Sequence, residues 1–300
     1  MPWTIVVNPV AGRGRHRDLV PTLRTLAGSA GLEAAVVASE SAEDAAKIAT
    51  EAAVAGRDLI AAGGDGTVGL LAGIAADHEC RLGIVPTGSG NDFAAALGYE
   101  RKRPLDALAA IAGGRDVTVD LGVVNGRSYT CVTCSGFDAE ANRWANTVTK
   151  LSGTALYVAA VLRTLAIYRP CPFRVTVDGE VHETPAWMVA VGNGGAYAGG
   201  MHILPDARMD DGLLDVCVIG NLSRIQILRH FPKVFRGAHL GVAGISTYRG
   251  SHVTVEAVGR DGMEVWADGE RVGPLPATME PRPNALRVRV PQSSPIASDA

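Results

Sequence analysis

Up to about residue 120, short apolar runs alternate with longer segments in which apolar residues recur at helical spacing. The runs at 3–7, 59–62 and 82–85 have the length of strands, and a helical pattern follows each of them. Such alternation is typical of a parallel sheet with helices on both faces. The pattern therefore predicts an α/β N-terminal domain with an open, mainly parallel sheet.

The pattern changes near residue 117 to a series of short β-like runs. Asn125-Gly126 and Asp178-Gly179 stand between such runs, and both dipeptides are hairpin signals. We therefore predict a larger β-sandwich-like C-terminal domain. The predicted limits are 1–122 for the first domain, 123–280 for the second, 281–291 for a strand that returns to the first domain, and 292–300 for a disordered tail.

Charge and hydropathy exclude several classes of protein. The 300 residues carry a net charge of −3, which does not fit a general nucleic-acid binder. No secretory signal is visible and no apolar run has the length of a membrane span. Five cysteines at this length do not suggest a disulfide scaffold. We therefore expect a cytoplasmic protein without a transmembrane segment.

Candidate chemistry begins at residues 59–67, where an apolar run ends in three glycines around one aspartate. Glycines let the backbone turn sharply and approach a ligand, and the start of the following helix favours an anion. Because a carboxylate beside phosphate is repulsive without a cation, Asp65 favours a nucleotide with Mg²⁺. We expect Asp65 in an exposed loop. The alternative is a glycine-rich turn that binds nothing.

Two more glycine-rich loops follow predicted strands, at 8–15 and 86–93. The carboxyl ends of parallel strands meet at one edge of the sheet, so we expect the three loops at one crevice. Neither the P-loop pattern nor a complete Gly-x-Gly-x-x-Gly occurs, which argues against a Walker-type or dinucleotide site. The first loop carries a basic cluster for which we favour phosphate contact over a solvated surface: Arg13, Arg15, His16 and Arg17.

An ordered set of short motifs extends along nearly the whole chain. It comprises Asn8-Pro9 with Gly12, Gly63-Gly64-Asp65-Gly66-Thr67, Pro86-x-Gly88-Ser89-x-Asn91-Asp92-Phe93, Asp120-Leu121-Gly122, Gly136-x-Asp138, Asn193 with Gly199-Gly200, Pro205 with Asp210-Asp211-Gly212, and Asp268-Gly269-Glu270. With these motifs the sequence resembles the diacylglycerol kinase catalytic family, which includes sphingosine and ceramide kinases, and it is most similar to the bacterial soluble branch. The resemblance implies an ATP-dependent lipid kinase.

The resemblance also implies which residues bind ATP and a structural Mg²⁺. The implied ATP contacts are Asn8, Pro9, Val10, Ala11, Gly12, Ser39, Gly63, Gly64, Asp65, Gly66, Thr67, Val68, Gly69 and Ser89. Ser39 and Ser89 stand where the family usually has threonine, and both keep the hydroxyl. The implied Mg²⁺ ligands are the side chain of Asp211 and the carbonyls of Arg208 and Leu213. The alternative is a simple tight turn at 210–212.

Phosphoryl transfer requires charge neutralisation and positioning. No lysine lies in the three loops, so Mg²⁺ must carry much of the neutralisation. Asp65, Asp92 and Asp120 are candidates to hold this ion, directly or through water.

The acceptor hydroxyl also requires a base, and the chain has two Asp-Gly-Glu sequences. The one at 178–180 lies between β runs and is typical of an ordinary hairpin turn. The one at 268–270 matches the family's position for the base. We therefore predict Glu270 as the general base, with Asp268 as a neighbour that either orients it or contacts Mg²⁺. Two carboxylates this close are expected to raise the pKa of one of them.

The preferred function is transfer of the γ-phosphate of ATP to diacylglycerol, giving phosphatidic acid, with a sphingoid base or ceramide as alternative acceptors. An NAD kinase-like enzyme and a non-catalytic nucleotide-sensing module are the competing functions. A lipid substrate implies a peripheral protein at the inner face of the membrane. The segment at 151–165 is a candidate for lipid access, with a buried helix as its alternative, and the basic residues at 101–103 are a candidate membrane contact or simply solvated. The sequence leaves open whether the protein forms a homodimer.

Overall fold

The computed structural model describes residues 2–11, 19–101, 103–145, 147–148 and 153–297. The chain divides into two compact units, the first made of Met1–Leu121 with Pro283–Ala300 and the second of Gly122–Arg282. The division falls within two long strands, β5 (Arg115–Val124) and β16 (Ala277–Val290).

The first unit is built on a parallel sheet whose strands follow the order β2-β1-β3-β4. These strands are β1 (Trp3–Val7), β2 (Ala34–Ala38), β3 (Asp58–Gly63) and β4 (Leu82–Pro86). The helices of this unit are α1 (Leu19–Ser29), α2 (Ala42–Val54), α3 (Asp65–Asp77), α4 (Asp92–Ala96) and α5 (Ala107–Ala112), with a 3₁₀ turn at Pro104–Asp106. Every residue of β1, β3 and β4 is buried, as strands covered on both faces require.

The direction of the chain through this sheet reverses after β2. It runs outward from β1 to β2 and then crosses back over β1 to β3. Strand–helix–strand connections between parallel strands are right-handed. The helix α1 therefore lies on one face of the sheet, and α2 and α3 lie on the other. Consistent with this, α1 contacts α5 and α2 contacts α3. The reversal places the carboxyl ends of β1 and β3 side by side, which is where open α/β sheets bind ligands.

The C-terminal end of the chain also belongs to the first unit. Val288 of β16 pairs in parallel with Leu82 of β4. The Arg115 guanidinium then donates to the carbonyl oxygen of Ser294 at 3.1 Å and to that of Ile296. These bonds hold part of the predicted tail against β5, and residues 298–300 lie outside the described residues.

The second unit contains two antiparallel sheets. A six-stranded sheet has the order β12-β11-β10-β7-β14-β15, and the other combines β16, β13, β8 and β9. The strands are β6 (Arg127–Tyr129), β7 (Val132–Gly136), β8 (Cys171–Val177), β9 (Glu180–Ala186), β10 (Met188–Gly192), β11 (Leu214–Ile219), β12 (Ile245–Gly250), β13 (Val253–Ala257), β14 (Glu264–Ala267) and β15 (Glu270–Pro274). The helices are α6 (Phe137–Ala145), α7 (Gly153–Ile167) and α8 (Arg224–Val234). The predicted fold class, α/β followed by a β-sandwich-like domain, is confirmed.

Two-residue turns join three of the hairpins in the second unit. Asn125-Gly126, Asp178-Gly179 and Asp268-Gly269 all have positive φ at both residues, between 48° and 90°. This is the type I′ turn that Asn-Gly and Asp-Gly favour, because its twist matches that of the flanking strands. The Asp-Gly-Glu predicted to carry the base therefore has the same hairpin backbone as the one predicted to be an ordinary turn.

Candidate functional site

The loops after β3 and β4 are in direct backbone contact. A Cβ added to Gly88 would lie 2.4 Å from the Cα of Gly64, and one added to Gly63 would lie 2.5 Å from the Cβ of Thr67. The Thr87 N–H also donates to the Gly63 carbonyl at 3.0 Å. These close approaches explain why the two loops are rich in glycine.

Asp65 ties the same two loops together. Its carboxylate accepts the backbone N–H groups of Asn91 and Asp92, both at 2.7 Å. Burial, and then the charge of Asp92, raise the pKa of Asp65, while the hydrogen bonds act against them. Asp65 is half-buried at the first position of α3, so the expectation that it lies in an exposed loop is wrong. Each oxygen keeps lone pairs that a cation can use.

Asn91 and Asp92 complete the loop after β4. Asn91 has a left-handed backbone (φ 56°), and its side chain bonds the Gly88 N–H at 2.9 Å and the Gly88 carbonyl at 3.0 Å. Asp92 is buried at the start of α4 and pairs with Arg101 at 2.6 Å. The loop is therefore held rigidly beside Asp65, with one carboxylate already neutralised. Ser89 lies on its exposed side.

Asn8 connects the first loop to the start of α3. Its amide nitrogen donates to the Thr67 hydroxyl at 3.0 Å, and its oxygen accepts the Val10 N–H at 3.1 Å. Val10 is 73% exposed. Of the implied contacts, Gly12 lies outside the described residues, as do Arg13, Arg15, His16 and Arg17.

Ser39 directly follows β2, the strand that pairs with β1 on the side away from β3. It is buried, and its hydroxyl donates to the Val7 carbonyl at 3.2 Å. The first unit therefore brings the ends of its four parallel strands to one edge, where Asn8 bonds Thr67 and Asp65 bonds the Asp92 N–H.

Asp120, the third candidate to hold Mg²⁺, is buried in β5 and accepts the Asn284 N–H at 2.7 Å. Within the described residues, no group of three His, Cys, Asp or Glu side chains is placed to share one metal ion. The structure thus brings Asp65 and Asp92 together, whereas the Asp120 carboxylate bonds the backbone of β16.

Asp268 is a half-buried anchor in the second unit. Its carboxylate accepts four hydrogen bonds, from the Thr130 N–H at 2.6 Å, the Thr130 hydroxyl at 2.8 Å, the Cys131 N–H at 3.0 Å and the Val132 N–H at 3.1 Å. Burial raises the pKa of Asp268, and these hydrogen bonds lower it less than burial raises it. Burial, rather than a second carboxylate, is therefore the cause of the raised pKa of Asp268.

Glu270 opens β15 and has a different environment. Its side chain is 50% exposed and forms an ion pair with Arg127 of β6. The other arm of this guanidinium donates to the Arg271 carbonyl at 3.2 Å, which fixes the arginine along the hairpin. Asp268 holds the turn and Glu270 presents a carboxylate beside a cation.

The Asp210-Asp211 loop is a tight turn with unused carboxylate oxygens nearby. Asp211 accepts the Leu213 N–H at 3.1 Å and pairs with Arg249, while Arg208 pairs with Asp210 at 3.0 Å. Burial raises the pKa of the neighbouring Asp215, whose Oδ2 is buried and accepts no hydrogen bond among the described residues. That oxygen lies 3.6 Å from the Arg249 guanidinium, which also pairs with Asp211. Two neighbouring carboxylates fit the hard Mg²⁺ ion that the family resemblance implies.

Sequence reasoning missed three arginines that pair with predicted carboxylates. Arg127 pairs with Glu270, Arg101 with Asp92, and Arg249 with Asp211, across 143, 9 and 38 residues of chain. Arg101 was among the residues expected at a membrane or in solvent. Arg101 lies only nine residues from Asp92 in the sequence, whereas the other two pairs depend on how distant segments of the chain meet.

Two family models match the chain and together cover most of it. The model described as "Diacylglycerol kinase catalytic domain" matches residues 2–124, and that described as "YegS C-terminal NAD kinase beta sandwich-like domain" matches residues 131–290. The two matches correspond to the α/β part and the sandwich part of the fold.

Curated relatives and a solved structure agree with these matches. A diacylglycerol kinase of Mycobacterium tuberculosis is 34% identical over 296 residues, covering 96% of this chain and 95% of its own. A Pseudomonas aeruginosa protein named "Probable lipid kinase YegS-like" is 34% identical over 276 residues, covering 89% and 88%. The crystal structure of a diacylglycerol kinase from Bacillus anthracis shares the fold, with a TM-score of 0.74 at 23% identity over 96% of both chains.

The chain belongs to the diacylglycerol kinase family, together with the YegS-like lipid kinases. Over its described residues, no helix is both long enough and apolar enough to cross a membrane.

Proposed function

We propose that this protein transfers the γ-phosphate of ATP to the hydroxyl of a lipid, most simply diacylglycerol, which gives phosphatidic acid. One observation carries the proposal. Asp65 joins the glycine loops after β3 and β4 through two 2.7 Å hydrogen bonds, at the edge of the sheet where α/β proteins bind ligands.

In this proposal the first unit binds the nucleotide. The free N–H groups at the start of α3 face the position where phosphates bind in such folds. Asp65 supports this loop and, with Asp92 and Asp120, would hold a Mg²⁺ ion directly or through water. When bound, this ion neutralises phosphate charge. Asn8 keeps the first loop against Thr67, so that the loops around the nucleotide form one hydrogen-bonded group.

Glu270 of the second unit takes the proton from the acceptor hydroxyl. Its carboxylate is half-exposed, and the ion pair with Arg127 fixes the orientation of the side chain. Asp268 contributes by holding the turn in place, which makes it a positioning residue. A general base positioned this way accelerates such reactions by about 10²- to 10⁴-fold.

A second candidate, phosphorylation of NAD, is favoured by one finding, the match of residues 131–290 to a sandwich domain described as NAD kinase-like. The test is a transfer assay with radiolabelled ATP and separate acceptors: diacylglycerol, sphingosine, ceramide and NAD, the lipids being presented in mixed micelles. We expect label in phosphatidic acid with Mg²⁺ and none with chelator. Label in NAD alone would contradict the lipid proposal, and ATP binding without any labelled acceptor would indicate a sensing module.

A further inference from the structure

The α8 helix exposes an unusual ridge of apolar side chains. Ile225 is 77% exposed, Leu228 45% and Phe235, directly after the helix, 39%. With exposed Pro232 they follow the spacing i, i+3, i+7 and i+10, which puts them on one face. Val234, on the opposite side, is buried against the protein. A capping box at Ser223 and Gln226 fixes the start of the helix, so the ridge is held outward.

A row of cations lies beside this ridge. Arg229, Lys233 and Arg236 are spaced by four and three residues, so they form the neighbouring stripe of the helix. None of the three forms an ion pair within the described part of the chain. Residues 216–255 contain no aspartate or glutamate at all. Partial burial, and then the charges of Lys233 and Arg229, lower the pKa of His230, which reflects the positive potential here.

A second helix extends the apolar surface. The Arg224 guanidinium donates to the carbonyls of Leu165 at 2.8 Å and Tyr168 at 3.1 Å, which fastens the start of α8 to the end of α7. Ile167, between those two acceptors, is 61% exposed, and Leu162 is 52% exposed. We call the combined surface of Ile225, Leu228, Pro232, Phe235, Leu162, Ile167, Arg229, Lys233 and Arg236 the basic apolar face.

The charge of this face selects among possible occupants. Single exposed apolar residues are common and need no explanation, but a row of them beside unpaired cations is typical of helices that lie in a membrane interface. A second copy of the chain docked here by symmetry would bring the cations of both copies together, and that repulsion opposes self-association. An anionic lipid surface accommodates the apolar ridge among its acyl chains and pairs its phosphates with the neighbouring cations.

We propose that the basic apolar face lies in the headgroup region of a membrane containing anionic lipid, with the apolar ridge inserted and the cations paired to lipid phosphates. That the same face brings the protein to its lipid substrate rests on the proposed function. The lipid-access segment predicted at 151–165 contributes through Leu162, while Ala160, Val161 and Leu165 of that helix are buried.

The test is flotation of the full chain with vesicles of phosphatidylcholine, with and without a minority of phosphatidylglycerol. We expect flotation only with the anionic vesicles and its loss at high salt. The pair Arg229→Gln and Lys233→Gln should weaken binding roughly 10- to 30-fold, as two interfacial cations do. The pair Ile225→Ser and Leu228→Ser should weaken it about as much at either salt concentration. Val181→Ser is the matched control, since Val181 is 58% exposed but lies between Glu180 and Glu183.

Several outcomes would overturn the proposal. These include unchanged flotation of both double variants, equal flotation on neutral vesicles, and a dimer that the serine variants convert to monomer without any change in flotation. Circular dichroism and the melting temperature of each variant show whether it is folded, and the glutamine pair, being solvent-facing, keeps the test available if the serine pair misfolds. If no lipid is phosphorylated but the wild type still floats through this face, the proposed function fails and the membrane surface stands.

Discussion

The two Asp-Gly-Glu hairpins of the second unit have nearly the same backbone and different surroundings. At 178–180 the φ angles of the aspartate and glycine are 48° and 90°, and at 268–270 they are 48° and 83°. In both, the aspartate accepts backbone N–H groups from a neighbouring connection: Asp178 from Ser251 at 3.0 Å and His252 at 2.8 Å, and Asp268 from Thr130, Cys131 and Val132.

The hairpins differ in burial and in the partner of the glutamate. Asp178 is exposed, and hydrogen bonding lowers its pKa, whereas Asp268 is half-buried and burial raises its pKa. Glu180 is 78% exposed and lies 3.5 Å from His182, whereas Glu270 pairs with the guanidinium of Arg127. A three-residue motif therefore specifies a turn, while the strands around the turn determine whether its aspartate is buried and whether its glutamate has an ion-pair partner.

Asp65 is a third aspartate that accepts backbone N–H groups, and its replacement should have a large effect on activity. Asp65→Ala should lower turnover by about 10²- to 10³-fold, the usual cost of losing one preorganised electrostatic group. The protein should stay folded with a modest fall in melting temperature, because the two lost bonds lie at a half-buried edge. Turnover near that of the wild type, measured with labelled ATP, would contradict the proposed role.

The two anchors should differ strongly in their contribution to stability. Asp268→Ala leaves three backbone donors and a hydroxyl without their acceptor and should lower the free energy of unfolding by roughly 3 to 5 kcal/mol. Asp178→Ala is the matched control and should cost much less, because water reaches the exposed Ser251 and His252 donors. Urea unfolding of both variants measures the difference, and equal losses would mean that burial does not distinguish the hairpins.

The loop at Asp211 should show whether a structural ion contributes to stability. Asp211→Ala and chelator should each lower the melting temperature of the protein, because an ion bound only to the folded state stabilises it. Chelator should then have no further effect on the variant. A melting temperature that responds to neither change excludes a stabilising ion at this loop.

The smallest expected effect is an opposite pH dependence of the two anchors. The pKa of Asp268 is raised from 3.8, so its contribution to stability is complete below 3.8 and is lost as the pH rises through the raised value. The pKa of Asp178 is lowered from 3.8, so its contribution is complete above 3.8 and is lost as the pH falls through the lowered value. Unfolding of the two alanine variants over this range should show opposite slopes in the stability lost, and slopes of one sign would contradict the assignment.

The local parts of this architecture could be predicted from the sequence. Apolar runs followed by glycine clusters predicted strands ending at one edge, and Asn125-Gly126 predicted its hairpin, because both signals act within a few residues. The ion pair of Arg127 with Glu270 could not be predicted, since it depends on the meeting of strands 143 residues apart. The anchoring of Asp65 could not be predicted either, because its donors are backbone N–H groups, which every residue except proline has.

In the proposed reaction Glu270, and not Glu180, accepts the proton of the lipid hydroxyl. The most direct measurement is single-turnover transfer of label from ATP to diacylglycerol by Glu270→Gln and Glu180→Gln, with ATP affinity measured in parallel. We predict that Glu270→Gln slows transfer by roughly 10²- to 10⁴-fold with ATP affinity nearly unchanged, because the proton comes from the acceptor. Glu180→Gln should transfer at the wild-type rate. Loss of transfer in Glu180→Gln with transfer retained in Glu270→Gln would contradict the account.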